Sequence, residues 1–242
     1  MLYAILSDIH SNLEALEAVL KDARDEGVSH FLCLGDIVGY AADPSICLKK
    51  VRDLAEVVVA GNHDYAVSGR LGLDWFNLRA RRAIEWTKDQ LDQEEKNYLG
   101  ALPLVRSSGS FCLAHATLSD PENWKYLLNE EDAFREFKLL REKILFIGHS
   151  HVPVVFWSEE GEIQGIKSPP DFKLEEEIQY IVNVGSVGQP RDLDSRASYC
   201  LFDSQTFSVY FRRVEYDFRV TQKKILKAGL PSFLAKRLEI GR

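Results

Sequence analysis

Apolar residues fall in short blocks along the first sixty positions, and the blocks alternate with stretches of helical period. "LYAILS" (2–7), "HFLCLG" (30–35) and "EVVVAG" (56–61) are continuous apolar runs of strand length. Between the first two, Leu13, Leu16, Val19 and Leu20 share one face of a helix that Asn12 can cap. "DPSICLKKVRDL" (43–54) predicts a second helix, with Asp43 as N-cap and Pro44 at its first position. Strand, helix, strand, helix, strand with uninterrupted apolar strands predicts a parallel sheet covered on both faces.

The rhythm then changes. Residues 74–101 read as mainly helical, "FCLAHA" (111–116) as a strand, 130–141 as a helix and "KILFIG" (143–148) as another buried strand. After it, "VPVVFW", "GEIQGI", "EIQYIVNVG", "SYCLFD" and "FSVYFRRV" are closely spaced strands broken by turn residues such as "SEEG" and "DSQT". That spacing predicts an antiparallel or mixed sheet, and two helices close the chain after Tyr216. Without repeats or linker-like segments, the pattern favours one α/β domain built on two packed sheets.

Composition narrows the setting. The 242 residues are 45% hydrophobic and 28% charged, which is ordinary for a soluble globular chain. The apolar stretches are too short to span a membrane, and the N-terminus lacks the basic region of a signal peptide. Cys33, Cys47, Cys112 and Cys200 show no C-x-x-C spacing and read as buried free thiols, which predicts a cytoplasmic protein. A net charge of −7 argues against a nucleic-acid surface. The basic clusters "RARR" (79–82) and "KKILK" (223–227) read as solvated helix faces.

The chemistry collects at strand ends. "FIGHSHVPVV" (146–155) sets His149 and His151 one residue apart in a turn after a buried strand. Earlier strands end in Asp8-Ile9-His10, in Gly35-Asp36, in Gly61-Asn62-His63-Asp64 and at His115. Functional groups of open α/β sheets gather at the carboxyl ends of strands, so these side chains are expected on one rim. Of the six histidines only His30 starts a strand and faces the other edge. Imidazole mixed with carboxylate suits Mn, Fe, Zn, Co or Ni better than Ca or Mg. The set exceeds what one ion needs and would serve a pair sharing a bridging carboxylate. The glycines before Asp36, Asn62 and His149 fit the sharp turns such strand ends require.

This ordered set, spanning residues 8 to 151, resembles the signature of the calcineurin-like metallophosphoesterases. "NVGSVGQPRD" (183–192) and "GLPSFLAKRL" (229–238) look like the late loop and tail of small prokaryotic phosphodiesterase-like members. The resemblance implies a four-layer α/β/β/α sandwich of two packed mixed sheets flanked by helices. Residues 1–242 would form one metallophosphoesterase domain, with helical insertions at 64–106 and 116–141 near the active-site rim. It implies that Asp8, His10, Asp36 and His151 hold one metal, that Asp36 bridges, and that Asn62, His115 and His149 complete the second site. His63 would face the scissile phosphate, and Arg191 is the candidate for a further phosphate contact.

The implied cofactors are two divalent transition-metal ions, and the implied activity is hydrolysis of a small phosphoester or nucleotide, a phosphodiester above all. A nucleotide-anhydride hydrolase of the diadenosine tetraphosphatase kind and a phosphomonoesterase would share the centre. A non-catalytic protein-binding scaffold typically loses the histidine of the "GNHD" element, and His63 is present. "GDIVGYA" (35–41) departs from the "GDxxDRG" of Ser/Thr protein phosphatases, which leaves His63 without an identified carboxylate partner. Rim residues Tyr65, Trp75, Phe76 and Arg79, and the stretch 116–135 with Trp124 and Tyr126, are the expected seat of specificity.

Overall fold

The alternating first third of the chain folds as strands and covering helices. The computed structural model describes residues 1–242, beginning with β1 (Leu2–Leu6), α1 (Leu13–Asp25), β2 (His30–Cys33), α2 (Pro44–Leu54), β3 (Ala55–Val58) and α3 (Asn62–Ser68). Next come α4 (Leu78–Gln90), α5 (Gln93–Ala101), β4 (Val105–Ser107), β5 (Phe111–Ala114), α6 (Glu130–Phe137) and β6 (Ile144–Ile147). The remainder is β7 (Val154–Glu159), β8 (Glu162–Lys167), β9 (Phe172–Lys173), β10 (Gln179–Asn183), β11 (Ala197–Asp203), β12 (Ser208–Val214), α7 (Phe218–Lys227) and α8 (Ser232–Ile240).

Two mixed six-stranded sheets result, ordered β3-β2-β1-β11-β12-β9 and β4-β5-β6-β10-β7-β8. In the first, β1, β2 and β3 run parallel and β11 is antiparallel to β1. In the second, β5, β6 and β10 run parallel and β7 is antiparallel to β10. The sheets pack face to face through a core that includes Ile5, Leu32 and Phe202 from one and Phe111, Phe146 and Val182 from the other. The outer face of the first sheet is covered by α1 and α2 through Leu16, Val19, Leu48 and Val51. On the outer face of the second, Ala133 and Phe137 of α6 pack against Leu145 and Ile181. This is the expected α/β sandwich. Hydrophobic burial from both faces of each sheet explains why the parallel strands read as unbroken apolar runs.

Local signals hold unevenly. Asn12 caps α1, accepting from Ala15 N at 3.2 Å. Pro44 begins α2, but Asp43 makes no cap, because its carboxylate instead binds Lys224 at 2.7 Å. The helix expected over 130–141 ends at Phe137. The segment 74–101 is two helices, separated where Asp92 caps α5 by accepting from Glu95 N at 2.8 Å. β4 and β9 were not foreseen, since two or three residues leave no period to read. All four cysteines are free and buried, as expected. No helix is long and apolar enough to cross a membrane.

Candidate metal centre

The parallel strands β1, β2, β3, β5 and β6 end at the same rim, and the chain delivers its polar residues there. Five of the seven expected ligands, Asp8, His10, Asp36, His149 and His151, lie in the left-handed backbone region at φ +49° to +66°. That conformation is costly for residues with a side chain, and it concentrates at functional sites. Close packing fixes it here. A Cβ on Gly148 would sit 1.9 Å from Ser7 Oγ and 2.4 Å from Asp8 Oδ2, so only glycine lets the His149 turn approach the β1 strand end.

The imidazoles are oriented from behind. His10 Nδ1 faces Val38 O at 3.2 Å, His115 Nδ1 faces Leu34 O at 2.8 Å and His151 Nδ1 faces Gln189 O at 2.5 Å. A carbonyl can only accept, so each Nδ1 carries a proton and each Nε2, unless it holds a second proton, turns a lone pair inward. His149 is reversed. Its Nε2 donates to Trp124 O at 2.8 Å, which leaves Nδ1 facing inward. The inward nitrogens then confront each other, His10 Nε2 with His151 Nε2 at 3.1 Å and His115 Nε2 with His149 Nδ1 at 3.2 Å. Two lone pairs at that separation repel unless a cation or a proton lies between them.

The carboxylates complete both groups. Asp8 Oδ2 is used by His149 N at 2.9 Å and Ser7 Oγ at 2.6 Å, while Oδ1 is buried without a hydrogen-bond partner 3.1 Å from His151 Nε2. Asp36 Oδ2 stands between the groups, 3.6 Å from His10 Nε2 and 3.5 Å from His115 Nε2. Asn62 Oδ1 is buried with no partner at all. Candidate ligand atoms of Asp8, His10 and His151 lie within 4.8 Å of one another, as do those of Asp36, His115 and His149, and those of His10, Asp36 and His63. The donor set and its orphaned oxygens fit divalent metal.

His63 differs from the other four. Its main-chain N donates to Asp36 Oδ1 at 2.8 Å, yet its Nδ1 is buried with no partner. Asp64 is not that partner. Its carboxylate accepts from Gly61 N, Ile37 N and Val38 N, tying the 61–64 turn to the loop after Asp36. The ring is held by aromatic packing instead, with centroids 4.4 Å from Tyr40, 4.9 Å from His10 and 5.1 Å from Phe76.

Burial and neighbouring charge divide the titrating groups. Burial alone would raise Asp8 and Asp36, but the imidazoles beside them, His151 and His115 foremost, hold both carboxyls below their ordinary range. Burial lowers His63 to about 4 and, with the charge of His115 added, His149 to about 3. Burial also acts to lower His115, yet Asp36 and Asp8 outweigh it and lift the ring to about 9. His115 is thus the imidazole that keeps a proton when the centre holds no metal.

Around the centre, Trp75, Phe76, Trp124 and Tyr126 line the opening together with Tyr40 and Arg191. Tyr126 stacks on His149 with centroids 4.3 Å apart. Trp124 packs edge-on against Tyr65 and His115. Tyr65 is buried, with its hydroxyl on Leu102 O at 2.8 Å, and takes no part in the opening. Arg79 lies over the Phe233 ring.

Within the 183–192 loop the sequence singles out Arg191 alone, and the structure adds Asn183 and Gln189. Asn183 Nδ2 donates to Gly148 O and to Ser150 Oγ at 3.0 Å, which braces the His149–His151 turn. The Gln189 backbone receives His151. Asn183 closes β10 as Asp8 follows β1, so the strand-end criterion applied to β10 would have found it.

Residues 1–206 match the calcineurin-like phosphoesterase superfamily domain. The chain is 44% identical to the uncharacterized protein MJ0912 of Methanocaldococcus jannaschii, over 99% of this chain and 98% of that protein. A crystal structure of a metallophosphoesterase from Sphaerobacter thermophilus aligns with a TM-score of 0.89 at 40% identity, covering 100% of this chain and 99% of that one. Phosphodiesterase YfcE of Escherichia coli K12 is 26% identical, over 84% of this chain and 88% of its own.

Proposed function

The chain belongs to the calcineurin-like phosphoesterase superfamily, and from that premise we propose that it is a phosphodiesterase dependent on two divalent transition-metal ions. The observation that carries the reading is the facing of inward ring nitrogens, His10 against His151 and His115 against His149, with Asp36 Oδ2 between the pairs. Asp8, His10, Asp36 and His151 would hold one ion, and Asp36, Asn62, His115 and His149 the other, each drawn from Mn, Fe, Zn, Ni or Co. When bound, two such ions neutralise phosphate oxygens and supply an activated water near neutral pH.

The protein's own groups do the rest. An N–H at His63 Nδ1 would meet no acceptor, so the proton of the neutral ring belongs on Nε2, where it can make a hydrogen bond without being transferred. That tautomer is opposite to those of His10, His115 and His151, and it makes His63 a hydrogen-bond donor to the leaving oxygen rather than a ligand. Arg191 adds a guanidinium at the opening for the phosphate oxygens. In the net reaction water adds to phosphorus, one P–O ester bond breaks, and the departing alcohol takes a proton.

A diester is favoured over a monoester on two counts. Gly39 and Tyr40 stand where protein phosphatases carry a second aspartate and an arginine, so the cationic grip on the scissile group is lighter. The relative YfcE is named a phosphodiesterase. The reading takes residues 1–242 as one catalytic unit, with 64–106 and 116–141 shaping its rim, and the four buried free thiols support a reducing, cytoplasmic setting. It is tested by asking whether Mn²⁺-loaded protein cleaves a diester that EDTA-treated protein leaves intact.

A further inference from the structure

Beside Arg191, which faces the phosphate oxygens, stand further cationic groups that this hydrolysis leaves unused. Gln189 is buried, and its side-chain oxygen accepts two guanidinium donors at once, Arg191 Nη2 at 2.9 Å and Arg237 Nη1 at 2.8 Å. Arg191 lies in the loop after β10, whereas Arg237 arrives from α8. Two cations sharing one neutral acceptor repel, and partial burial keeps water from screening them fully. A carboxylate is the usual remedy, as Asp192 provides for Arg213. No aspartate or glutamate side chain serves here. After burial, Arg191 acts most on Arg237, and Arg79 adds further positive charge nearby. The remaining contact of Arg237 is Nε to an oxygen of the Arg242 terminal carboxylate at 2.7 Å, so Arg237 is partly compensated.

Further observations point the same way. Arg191 Nε is buried with no acceptor. Arg79 of α4 lies 3.9 Å from the Phe233 ring centroid and Arg237 5.3 Å from the same centroid, so three arginines converge on one side of the opening. This happens in a chain with 37 acidic and 30 basic residues, where carboxylates are in surplus. Tyr40 links the cluster to the centre, its hydroxyl 3.5 Å from Arg191 Nη2 and its ring 4.4 Å from His63 and 4.6 Å from His10. The cluster therefore begins at the opening itself, which Arg191 lines together with Asp36, Asn62 and His63.

We propose that Arg237 and Arg79, joined through Gln189 to the Arg191 that faces the scissile phosphate, form a subsite for a second phosphoryl group of the substrate. The substrate class is then a phosphodiester whose esterified alcohol is itself phosphorylated, such as a nucleotide with a further phosphate on its sugar, rather than a plain alkyl or aryl diester. Guanidinium forks match phosphoryl oxygens in pairs, and a dianion between them relieves their mutual repulsion. Tyr126 and Trp75, exposed at the same opening, offer faces for the nucleoside. The inference rests on the phosphodiesterase reading, but it is tested apart from it.

The test is calorimetric binding of thymidine 3′,5′-bisphosphate against thymidine 5′-monophosphate, at fixed salt, to metal-free and to Mn²⁺-loaded protein. The wild type is expected to prefer the bisphosphate by about tenfold in Kd. Arg237→Gln and the more exposed Arg79→Gln should each cut that preference, and Arg237→Lys should restore part of it. Equal binding of the two nucleotides to the wild type overturns the subsite, as does a preference that survives both glutamine variants. Release of p-nitrophenol from thymidine 5′-(p-nitrophenyl phosphate) is read in parallel. Its absence would strike the phosphodiesterase reading, while the binding ratio decides the subsite by itself.

Discussion

A Cβ placed on Gly39 would sit 2.5 Å from Nδ1 of His63, and Gly39 itself holds φ +95°. The glycine is the floor on which the one partnerless imidazole of the centre rests. Gly39→Ala adds about 1 kcal/mol of left-handed backbone cost and pushes the ring off its position. Turnover is expected to fall by about tenfold to hundredfold, because small displacements of a reacting group are expensive. Metal content by mass spectrometry should stay at the wild-type level. Wild-type turnover in Gly39→Ala would remove positional importance from His63.

His63→Ala should separate binding from chemistry. Metal content is retained, and kcat on a diester falls by about 10²- to 10³-fold, the range for loss of one hydrogen-bond donor to a developing oxyanion. Near wild-type hydrolysis would end the role assigned to His63. Burial holds this ring near 4, so it stays neutral through pH 6–8, and nitrogen-15 spectra of metal-free protein should show the Nε2–H tautomer across that range.

Proton release should accompany metal loading. In the metal-free centre His115 keeps its proton to about pH 9, because Asp36 and Asp8 outweigh burial. A raised histidine stabilises the fold fully below its ordinary value of 6.5, and that contribution is lost as pH rises through about 9. Metal must displace the same proton, so apparent metal affinity should rise about tenfold per pH unit between 7 and 9. Calorimetry in buffers of different ionisation heat reads the released proton directly. Affinity independent of pH would contradict the assignment of His115.

Asp36→Asn should lose more metal than Asp8→Asn. Asp36 Oδ2 is nearly equidistant from His10 and His115, at 3.6 and 3.5 Å, whereas Asp8 Oδ1 leans to one group, 3.1 Å from His151 and 3.9 Å from His115. Equal metal content in the two variants would deny Asp36 its shared position.

How much of this could be read beforehand depended on the kind of signal. The rim set was legible because parallel strands deliver side chains to one edge, and Asp8, Asp36, His115 and His149 each follow an apolar run. The two-sheet architecture followed from the shift between unbroken apolar strands and closely spaced ones. Hydrogen-bond direction was not legible. Nothing local says that His149 turns Nδ1 inward while its neighbour His151 turns Nε2, because carbonyls of Trp124 and Gln189, from distant stretches, decide it. Asp43 looks like a cap in sequence and becomes an ion pair through Lys224, 181 positions away. Arg79 sits in a basic run that reads as a solvated face, and only the packing of α4 against α8 places it over Phe233 beside Arg237.

The most direct test of the central claim compares hydrolysis of bis(p-nitrophenyl) phosphate and p-nitrophenyl phosphate by the same preparation, with Mn²⁺ and with EDTA. Two metals held by the paired histidines and Asp36 predict cleavage that needs Mn²⁺, vanishes with EDTA and favours the diester. Cleavage that survives EDTA, or a monoester cleaved in preference to the diester, would contradict it.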